Sequence, residues 1–490
     1  MKRAPLWLIL GVLGGSSMGC GKLMRLVQGL TGGAPSHDTA AQPAATPSGG
    51  PEAPEAPASS VTRPAPGRAT GCPAMLNNSA LLPGTEHAIE LHRDEVWSLE
   101  DSPHRLPHGF HVPDGKTLTV APCAVVLMAN STGFHVDNGA TLIAVGDAQH
   151  PIRFGSNNPQ PQPGDWQSLW IDANARRNSR LSHVIVEHAG HEWGGVHAGL
   201  VVIAPSFHLD HVAMRFNTGF GLALRDGGSL SSDSSDLVVT QTAAEGTSQT
   251  GAVYVQRPPA VATLPLGQYT GNAVDEVLIA EGGTGDDHAV RQSATWRNVG
   301  VPYHLADDVD LRVEGPTGPV LTLAPTVTIR MGRNAGISVG YDAEGGLIVD
   351  GQSEAGRVTL KPAGNDASPG IWRGVYFGPR FNRSLSRLHF ASLQSAGANW
   401  NAQLCDWQGT SSDNAFVLFE NTPSANALEH VSFANGAPDV AAIARHWRGA
   451  AVDFSAPALG NDFTQLGAGC HQSPVMSAEG GCPDPAPACQ

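Results

Sequence analysis

Short runs of apolar residues, separated by glycine and polar residues, follow one another along most of the chain. Each run is only a few residues long, which is typical of a β-strand and short for a helix. Examples are residues 117–120, 125–128, 141–145, 200–203, 222–224 and 237–239. This pattern predicts an all-β protein with many short strands. The best candidate for a helix, residues 439–447, is short.

Similar segments recur at spacings of 20 to 30 residues, which suits one coil of a solenoid. Residues 181–184 (Leu-Ser-His-Val) recur as residues 209–212 (Leu-Asp-His-Val), and residues 428–431 (Leu-Glu-His-Val) repeat the motif again. In a parallel β-helix, equivalent residues of successive coils stack into ladders. We therefore expect a parallel β-helix in which the histidine of this motif occupies a ladder position.

The chain is also duplicated at an offset of about two hundred residues. Residues 113–122 (PDGKTLTVAP) match residues 316–325 (PTGPVLTLAP), and residues 181–190 (LSHVIVEHAG) match residues 388–397 (LHFASLQSAG). The Pro-Gly-x-Trp segment that ends at Trp166 recurs at Trp372. We therefore predict a first unit at residues 86–295 and a second at residues 296–468, with Trp166 and Trp372 in equivalent corners of one continuous helix.

Residues 1–20 have the pattern of an export signal, with Lys2 and Arg3 before an apolar stretch and a small-residue end. Gly19-Cys20 resembles the end of a bacterial lipobox, whose cysteine becomes the lipidated N-terminus. Ser17 and Gly19 also suit cleavage by an ordinary signal peptidase. We favour lipidation of Cys20, which predicts a protein that is lipid-anchored in the bacterial outer membrane or at the cell surface.

Within residues 21–70, the stretch 32–69 consists mainly of alanine, proline, glycine, serine and threonine and contains almost no large apolar residue. Such a segment cannot bury enough surface to offset its ordering entropy. It is therefore predicted to be a disordered tether between the anchor and the folded body.

Six further cysteines agree with an oxidising compartment: Cys72, Cys123, Cys405, Cys470, Cys482 and Cys489. They can pair in fifteen ways. The expected pairs are Cys482–Cys489 within the C-terminal tail (residues 469–490), with Cys72–Cys123 and Cys405–Cys470 at the two ends of the body. No cysteine or histidine spacing typical of zinc is present, so the sequence indicates neither a metal nor a cofactor.

The formal net charge of −15 argues against nucleic acid as a partner, because nucleic acids are bound through clustered positive charge. It argues equally against docking onto an anionic lipid surface through charge.

The strand and corner motifs together resemble right-handed parallel β-helix proteins of the pectin-lyase-like type. They resemble most closely bacterial surface lipoproteins and adhesin-like proteins with such repeats. The motifs that carry this resemblance are structural, so it implies the fold and carries little information about activity.

Residues 183–197 hold the densest set of titratable groups, including His183, Glu187, His188, His191 and Glu192. Imidazoles and carboxylates could bind zinc or serve as acid and base, but adjacent strand positions face opposite ways. We therefore interpret the histidines mainly as ladder residues. The acidic pairs at residues 286–287 and 307–308 could serve glycoside hydrolysis, but are better interpreted as turn residues.

Ten tryptophans against five tyrosines suggest aromatic platforms for sugar rings. Trp193 and Trp400 each follow the repeated Ala-Gly segment, where loops can leave the solenoid. These two tryptophans, with His191 and Glu192, are the predicted ligand contacts.

The favoured interpretation is a non-catalytic, surface-displayed β-helix lipoprotein that binds polysaccharide, envelope components or another cell. The alternative is a diverged polysaccharide lyase or glycoside hydrolase of the pectin-lyase-like fold. No residue is assigned a catalytic role.

Overall fold

The computed structural model describes residues 71–72, 83–244, 250–283, 288–400, 413–467 and 469–476. All of them belong to the unit Pro64–Gln490. Several predicted features lie outside the described residues: the signal peptide, the lipidation site Cys20, the tether at residues 21–70, and Cys405, Cys482 and Cys489.

The described residues form 37 strands, β1 to β37 in chain order, in five all-parallel sheets. A 13-stranded sheet, called here the spine sheet, runs through both halves: β4 (Phe110–Val112), β7 (Phe134–Val136), β10 (Leu169–Ile171), β13 (Ala198–Val202), β16 (Phe220–Leu224), β18 (Val253–Val255), β20 (Val277–Ile279), β22 (Tyr303–Leu305), β25 (Thr328–Met331), β28 (Val358–Pro362), β31 (Ala391–Gln394), β34 (Ser432–Gly436) and β36 (Asp462–Gly467).

Two sheets complete the coils of the N-terminal half. Sheet N1 contains β2 (Glu95–Trp97), β5 (Thr117–Val120), β8 (Thr141–Val145), β11 (Arg180–Ser182) and β14 (His208–Asp210). Sheet N2 contains β1 (Thr85–Glu86), β3 (His104–Leu106), β6 (Val125–Met128), β9 (Ile152–Ser156), β12 (Val184–Glu187), β15 (Ala213–Arg215), β17 (Leu237–Thr240) and β19 (Gly267–Gln268).

Two other sheets complete the coils of the C-terminal half. Sheet C1 contains β21 (Ala294–Trp296), β24 (Val320–Leu323), β27 (Gly346–Asp350), β30 (Arg387–His389) and β33 (Leu428–Glu429). Sheet C2 contains β23 (Asp310–Val313), β26 (Gly336–Val339), β29 (Gly374–Phe377), β32 (Ala415–Phe419), β35 (Ala441–Arg445) and β37 (Cys470–Gln472). Short 3₁₀ helices lie at Pro258–Thr263, Glu354–Gly356 and Pro457–Leu459.

Each strand pairs with the equivalent strands of the coils before and after it, so the chain forms a parallel β-helix solenoid. Leu169, for example, pairs with Phe134 on one side and with Leu200 on the other. The predicted all-β solenoid is confirmed. The best candidate for a helix, residues 439–447, does not form one: this segment contains β35, whose Ala441 and Ile443 pair with Cys470 and Gln472 of β37.

Alternate residues of each strand point inward and stack into ladders, as the apolar runs require. One such ladder in sheet N1 runs from Trp97 through Val120, Ala144 and Leu181 to Leu209, and all five side chains are buried. A single hydrophobic cluster extends from Leu91 to Leu466, so one core continues through both halves.

The duplicated units use the spine sheet differently. In the N-terminal half the chain visits N1, N2 and then the spine sheet, whereas in the C-terminal half it visits C1, the spine sheet and then C2. The segments 181–190 and 388–397 show the shift: the first spans N1 and N2, and the second spans C1 and the spine sheet. The second unit is therefore displaced by one face around the solenoid axis.

Trp166 and Trp372 occupy equivalent corners, as predicted, although on different faces. Both side chains are fully buried. The Trp166 Nε1 donates a hydrogen bond to the carbonyl of Glu187 at 2.9 Å, and the Trp372 Nε1 donates to the carbonyl of Gln394 at 2.7 Å. Each indole thus joins its corner to the end of the second strand in the next coil.

The structure contains the disulfide Cys72–Cys123, one of the pairs expected from the sequence. Cys470 is also disulfide-bonded. Its partner lies outside the described residues, because the other two described cysteines pair with each other.

Candidate functional site

A second, smaller apolar cluster lies on the outer face of the spine sheet. Four residues of this face are buried although they alternate with core residues and therefore point outward: Trp170, Val201, Ala223 and Leu278. Trp170 pairs with His135 on one side and with Val201 on the other. The outer face of this sheet is therefore aromatic and apolar at its centre, which is unusual for a surface that faces water.

A tight hairpin at residues 193–196 covers this cluster. Trp193 and Val196 form an antiparallel bridge across Gly194 and Gly195, whose φ angles are 61° and 78°. Two consecutive positive φ angles define a type I′ turn and explain the Gly-Gly sequence. The Arg225 guanidinium donates a hydrogen bond to the Gly194 carbonyl, so the hairpin is fixed to the sheet.

The hairpin places Trp193 against the aromatic rings of the spine sheet. Its ring meets Trp170 edge-on, with centroids 4.5 Å apart and an angle of 87° between the planes. It also meets His135 at 4.6 Å and 69°. With 37% of its surface exposed, Trp193 is a fixed aromatic side chain that is still accessible to solvent.

Trp193 forms one wall of a groove of about 410 Å³, called here the Trp193 groove. The groove is lined by Gly109, His111, Ser131, Thr132, Gly133, His135, Asp137, Gln167, Asp172 and Trp193. His111 and His135 stack in its floor, with centroids 4.8 Å apart and planes at 13°. A Cβ at Gly133 would lie 2.7 Å from Gln167 Oε1 and 2.8 Å from His135 Nε2, so a larger residue there would displace these two side chains of the groove.

The two carboxylates of the groove have different environments. Asp137 pairs with His111, whose Nδ1 lies 2.9 Å from Asp137 Oδ1. Burial raises the pKa of Asp172 above its ordinary value, and the negative charge of Asp137 adds to this effect. The Trp170 Nε1 donates a hydrogen bond to Asp172 Oδ1 at 2.9 Å and partly offsets it.

His135 is a neutral hydrogen-bonding group in the floor. Burial lowers its pKa to about 4, and the nearby His111 contributes to the decrease. Its imidazole makes no hydrogen bond to any residue that the structure describes, although it stacks on His111. A neutral imidazole offers one donor and one acceptor, so His135 can bind a hydroxyl group of a ligand.

The predicted ligand contacts are only partly brought together. Trp193 lines the groove, whereas His191 and Glu192 are exposed and do not line it. Glu192 instead stabilises the hairpin, since its Oε1 accepts a hydrogen bond from the Gly195 amide at 3.0 Å. Trp400 lies in the second unit, against sheet C2, and contacts Tyr376 at 5.3 Å.

Trp400 occupies the position in the second unit that Trp193 occupies in the first. It covers an outer apolar cluster on sheet C2 that matches the cluster under Trp193: Tyr376, Ala415, Leu418, Ala441 and Ala444. The Arg373 guanidinium lies 5.0 Å from its ring centroid, and its Nε1 is buried without a described hydrogen-bond partner. Trp400 is half-buried, so it presents less aromatic surface than Trp193.

The histidines of the Leu-x-His-Val motif form a corner ladder. His183 and His211 have φ angles of 52° and 51°, and their rings stack at 4.5 Å and 5°. With Asp210 they form the one group among the described residues whose ligand atoms are close enough to hold a metal ion. A metal bonds an imidazole nitrogen close to the ring plane, and two parallel planes this far apart do not converge on one ion. His211 is also engaged by Asp210 at 2.7 Å and Asp236 at 3.0 Å.

Glu187 is held in an ion-pair ladder on sheet N2. Arg153 and Arg215 both donate hydrogen bonds to its buried carboxylate. Burial alone would raise the pKa of Glu187, but the two arginines outweigh it and hold the pKa below its ordinary value. A carboxylate with both oxygens bound in this way is poorly suited to proton transfer.

The described acidic pair, Asp307 and Asp308, lies in a turn, as predicted. Asp307 accepts a hydrogen bond from the Arg333 amide at 2.7 Å, and Asp308 accepts one from Asn334 Nδ2 at 2.7 Å. Asp308 has a positive φ angle of 62°. The pair at residues 286–287 lies outside the described residues.

Sequence reasoning missed the residues that line the groove beside Trp193. The available signal was the repeated Phe-His-Val of residues 110–112 and 134–136, which places His111 and His135 at paired positions. Asp137 follows the second of these segments directly.

Comparisons with protein family models, with curated proteins and with solved structures give no match. The fold is therefore established by the strand pairing, and the resemblance to pectin-lyase-like surface lipoproteins rests on the sequence motifs. Within the part of the chain that the structure describes, no helix is long and apolar enough to span a membrane.

Proposed function

We propose that the chain is a non-catalytic, surface-displayed β-helix protein that binds saccharide in the Trp193 groove. The observation that carries the proposal is an exposed, fixed indole beside a row of polar groups in one groove. A sugar ring has an apolar face and a polar rim, so it matches an aromatic wall with nearby hydrogen-bonding side chains. Because the hairpin holds Trp193 in place, little conformational entropy is lost on binding.

Polar side chains lie at both ends of the groove, on either side of its aromatic floor, which suits a hydroxylated ligand. Ser131, Thr132 and Gln167 lie at the end where the spine strands begin, and Asp137 and Asp172 lie where they end. His135 lies between these two groups on β7. This row spans roughly 10 Å, since each strand has three residues and strands rise about 3.3 Å per residue.

Titration calorimetry of wild-type protein and Trp193→Ala with a panel of tetrasaccharides tests this proposal. Buried tryptophans at binding interfaces contribute on the order of 2 kcal/mol, so Trp193→Ala should weaken binding roughly tenfold or more. Tyr341→Ala is the matched control, because Tyr341 is a similarly exposed aromatic residue (41%) outside the groove. Equal affinity of wild type and Trp193→Ala, or no binding to any saccharide, would contradict the proposal.

A second candidate function is glycoside hydrolysis, and the carboxylate pair of the groove favours it. Two nearby carboxyl groups, one with a raised pKa, are the usual arrangement in such enzymes. We propose instead that both carboxylates serve binding, and expect no turnover of acidic polysaccharides with or without calcium or zinc. Release of reducing ends that disappears in Asp172→Asn would establish the enzyme.

We further propose that the protein is exported and anchored through a lipid on Cys20, with residues 21–70 as the tether. The support is the sequence pattern around Gly19-Cys20. Cys20→Ser should move the protein from the membrane fraction to the soluble fraction of the cells. A membrane-bound mutant, or a soluble wild type, would contradict the lipid anchor.

A further inference from the structure

We infer that the Trp193 groove selects saccharides that carry a free ammonium group, that is, amino sugars. This inference rests on the proposed function, and it names the ligand class of the same site. It rests on the two carboxylates at one end of the groove, on the Trp193 indole that forms its wall, and on the neutral imidazole of His135 in its floor.

Asp137 and Asp172 form a carboxylate pair at one end of the groove. They follow β7 and β10 directly, at adjacent ladder positions: the Asp137 amide donates to the Val112 carbonyl and the Asp172 amide to the Val136 carbonyl, both at 3.0 Å. Neighbouring strands are about 4.8 Å apart, so one small cation can contact both carboxylates. The hydrogen bond that the Asp172 side chain accepts from Trp170 comes from a neutral donor. Among the described residues no cationic side chain donates a hydrogen bond to Asp172, so its charge is less compensated than that of Asp137, which pairs with His111.

No arginine or lysine is among the described residues that line the groove. The Arg225 guanidinium, which lies 5.9 Å from the Trp170 ring centroid, is directed at the Gly194 carbonyl. His111 is engaged by Asp137, and His135 is neutral at pH 7. A uronate or sulfate group would therefore meet two carboxylates in a groove whose His111 is already paired with Asp137, whereas an ammonium group would meet opposite charge.

The lining of the groove offers a partner for each part of an amino sugar. A ring stacked on Trp193 would place its hydroxyl groups near His135 and Gln167, and an ammonium substituent would reach Asp137 and Asp172. Ammonium–carboxylate hydrogen bonds are about twice as strong as neutral ones. The carboxylate pair would therefore determine the charge preference, and Trp193 would contribute affinity for any saccharide.

The test compares three tetrasaccharides by titration calorimetry at pH 6, in low salt and with EDTA. The probes are the glucosamine tetramer, its fully N-acetylated counterpart and the galacturonate tetramer. We expect the glucosamine tetramer to bind at least tenfold more tightly than the N-acetylated one, and the galacturonate tetramer not to bind. Because the preference is electrostatic, it should shrink as salt is added.

Asp172→Asn is the informative variant. An asparagine Oδ1 can still accept the hydrogen bond from Trp170, so the groove should keep its shape while it loses one charge. The variant should weaken binding of the glucosamine tetramer far more than binding of the N-acetylated tetramer, so most of the preference for the glucosamine tetramer should be lost. Asp137→Asn should act in the same direction.

The outcomes separate this inference from the proposed function. If neutral saccharides bind in a Trp193-dependent manner without any preference for the amine, the inference is wrong and the proposed function stands. Binding of any probe that requires added Ca²⁺ would also overturn the inference, because the carboxylates would then hold a metal ion. If no saccharide binds in a Trp193-dependent manner, the proposed function itself fails.

Discussion

Truncation of the two corner tryptophans, Trp166→Ala and Trp372→Ala, should destabilise the solenoid by similar amounts but in different places. Each indole is fully buried and donates one hydrogen bond to a main-chain carbonyl. Replacing a buried tryptophan with alanine costs about 3–5 kcal/mol, from lost burial and from the cavity that remains. Because the two residues occupy equivalent corners, both costs should fall in this range.

Native-state hydrogen exchange with mass spectrometry can locate the two effects. In a solenoid each coil contacts only its neighbours, so a local loss of stability accelerates exchange mainly in adjacent coils. Trp166→Ala should raise exchange in residues 152–202, and Trp372→Ala in residues 346–394. A cost of 3–5 kcal/mol corresponds to an acceleration of about a hundredfold to several thousandfold.

Two further variants make the comparison sharper. Phenylalanine at either position keeps most of the ring but leaves a buried carbonyl without its donor, which costs about 1–3 kcal/mol. Val96→Ala serves as the control, since Val96 is 67% exposed and should leave exchange unchanged. Sensitivity of only one tryptophan to truncation, or faster exchange in the same coils for both variants, would show that the two corners are not equivalent.

Two other predictions concern an ion-pair ladder and a disulfide. Glu187→Gln should lower the free energy of unfolding on the order of 3 kcal/mol at pH 7, because it leaves Arg153 and Arg215 without their buried partner. Since the pKa of Glu187 is lowered in the folded state, its carboxylate stabilises the fold above the ordinary glutamate pKa. This difference from wild type should shrink as denaturation is measured at falling pH; a difference that grows in acid would contradict the ladder. The double variant Cys72→Ser/Cys123→Ser opens a link between residues 51 positions apart, which should cost about 4 kcal/mol by chain entropy. An unchanged thermal unfolding midpoint would show that the link does not constrain the unfolded chain.

Much of the fold could be predicted because each coil requires a local pattern of residues in the sequence. Inward positions need apolar residues on every strand, and the corner histidines His183 and His211 recur because both occupy a position with positive φ and stack on each other. The duplication could also be recognised from the sequence, because Trp166 and Trp372 recur together with their flanking residues.

The shift of the second unit by one face was not predictable from these repeats. A repeated segment gives the order of strands within a coil, but it does not say which strand of the preceding coil each one joins. The helix candidate at residues 439–447 forms a strand for a related reason. The alanines of β35 suit a helix locally, but Ala441 and Ile443 pair with strands on both sides. Tertiary pairing thus overrides local preference.

The groove was only partly predictable. Trp193 could be found because it follows a repeated Ala-Gly, but Asp137 and Asp172 are 35 residues apart, and His111 and His135 only 24. Because the coils differ so much in length, outward-facing residues that stack in one column do not recur at a fixed spacing in the sequence. His191 and Glu192 were selected as neighbours of Trp193 in sequence, and strand and hairpin geometry turns them away from the groove.

A crystal structure of the protein with a saturating amino-sugar tetramer tests the central claim most directly. We expect a sugar ring stacked on the Trp193 indole, with hydroxyl groups on His135 and Gln167 and the ammonium group between Asp137 and Asp172. An ordered saccharide on another surface, such as sheet C2 beside Trp400, with the Trp193 groove empty, would contradict it.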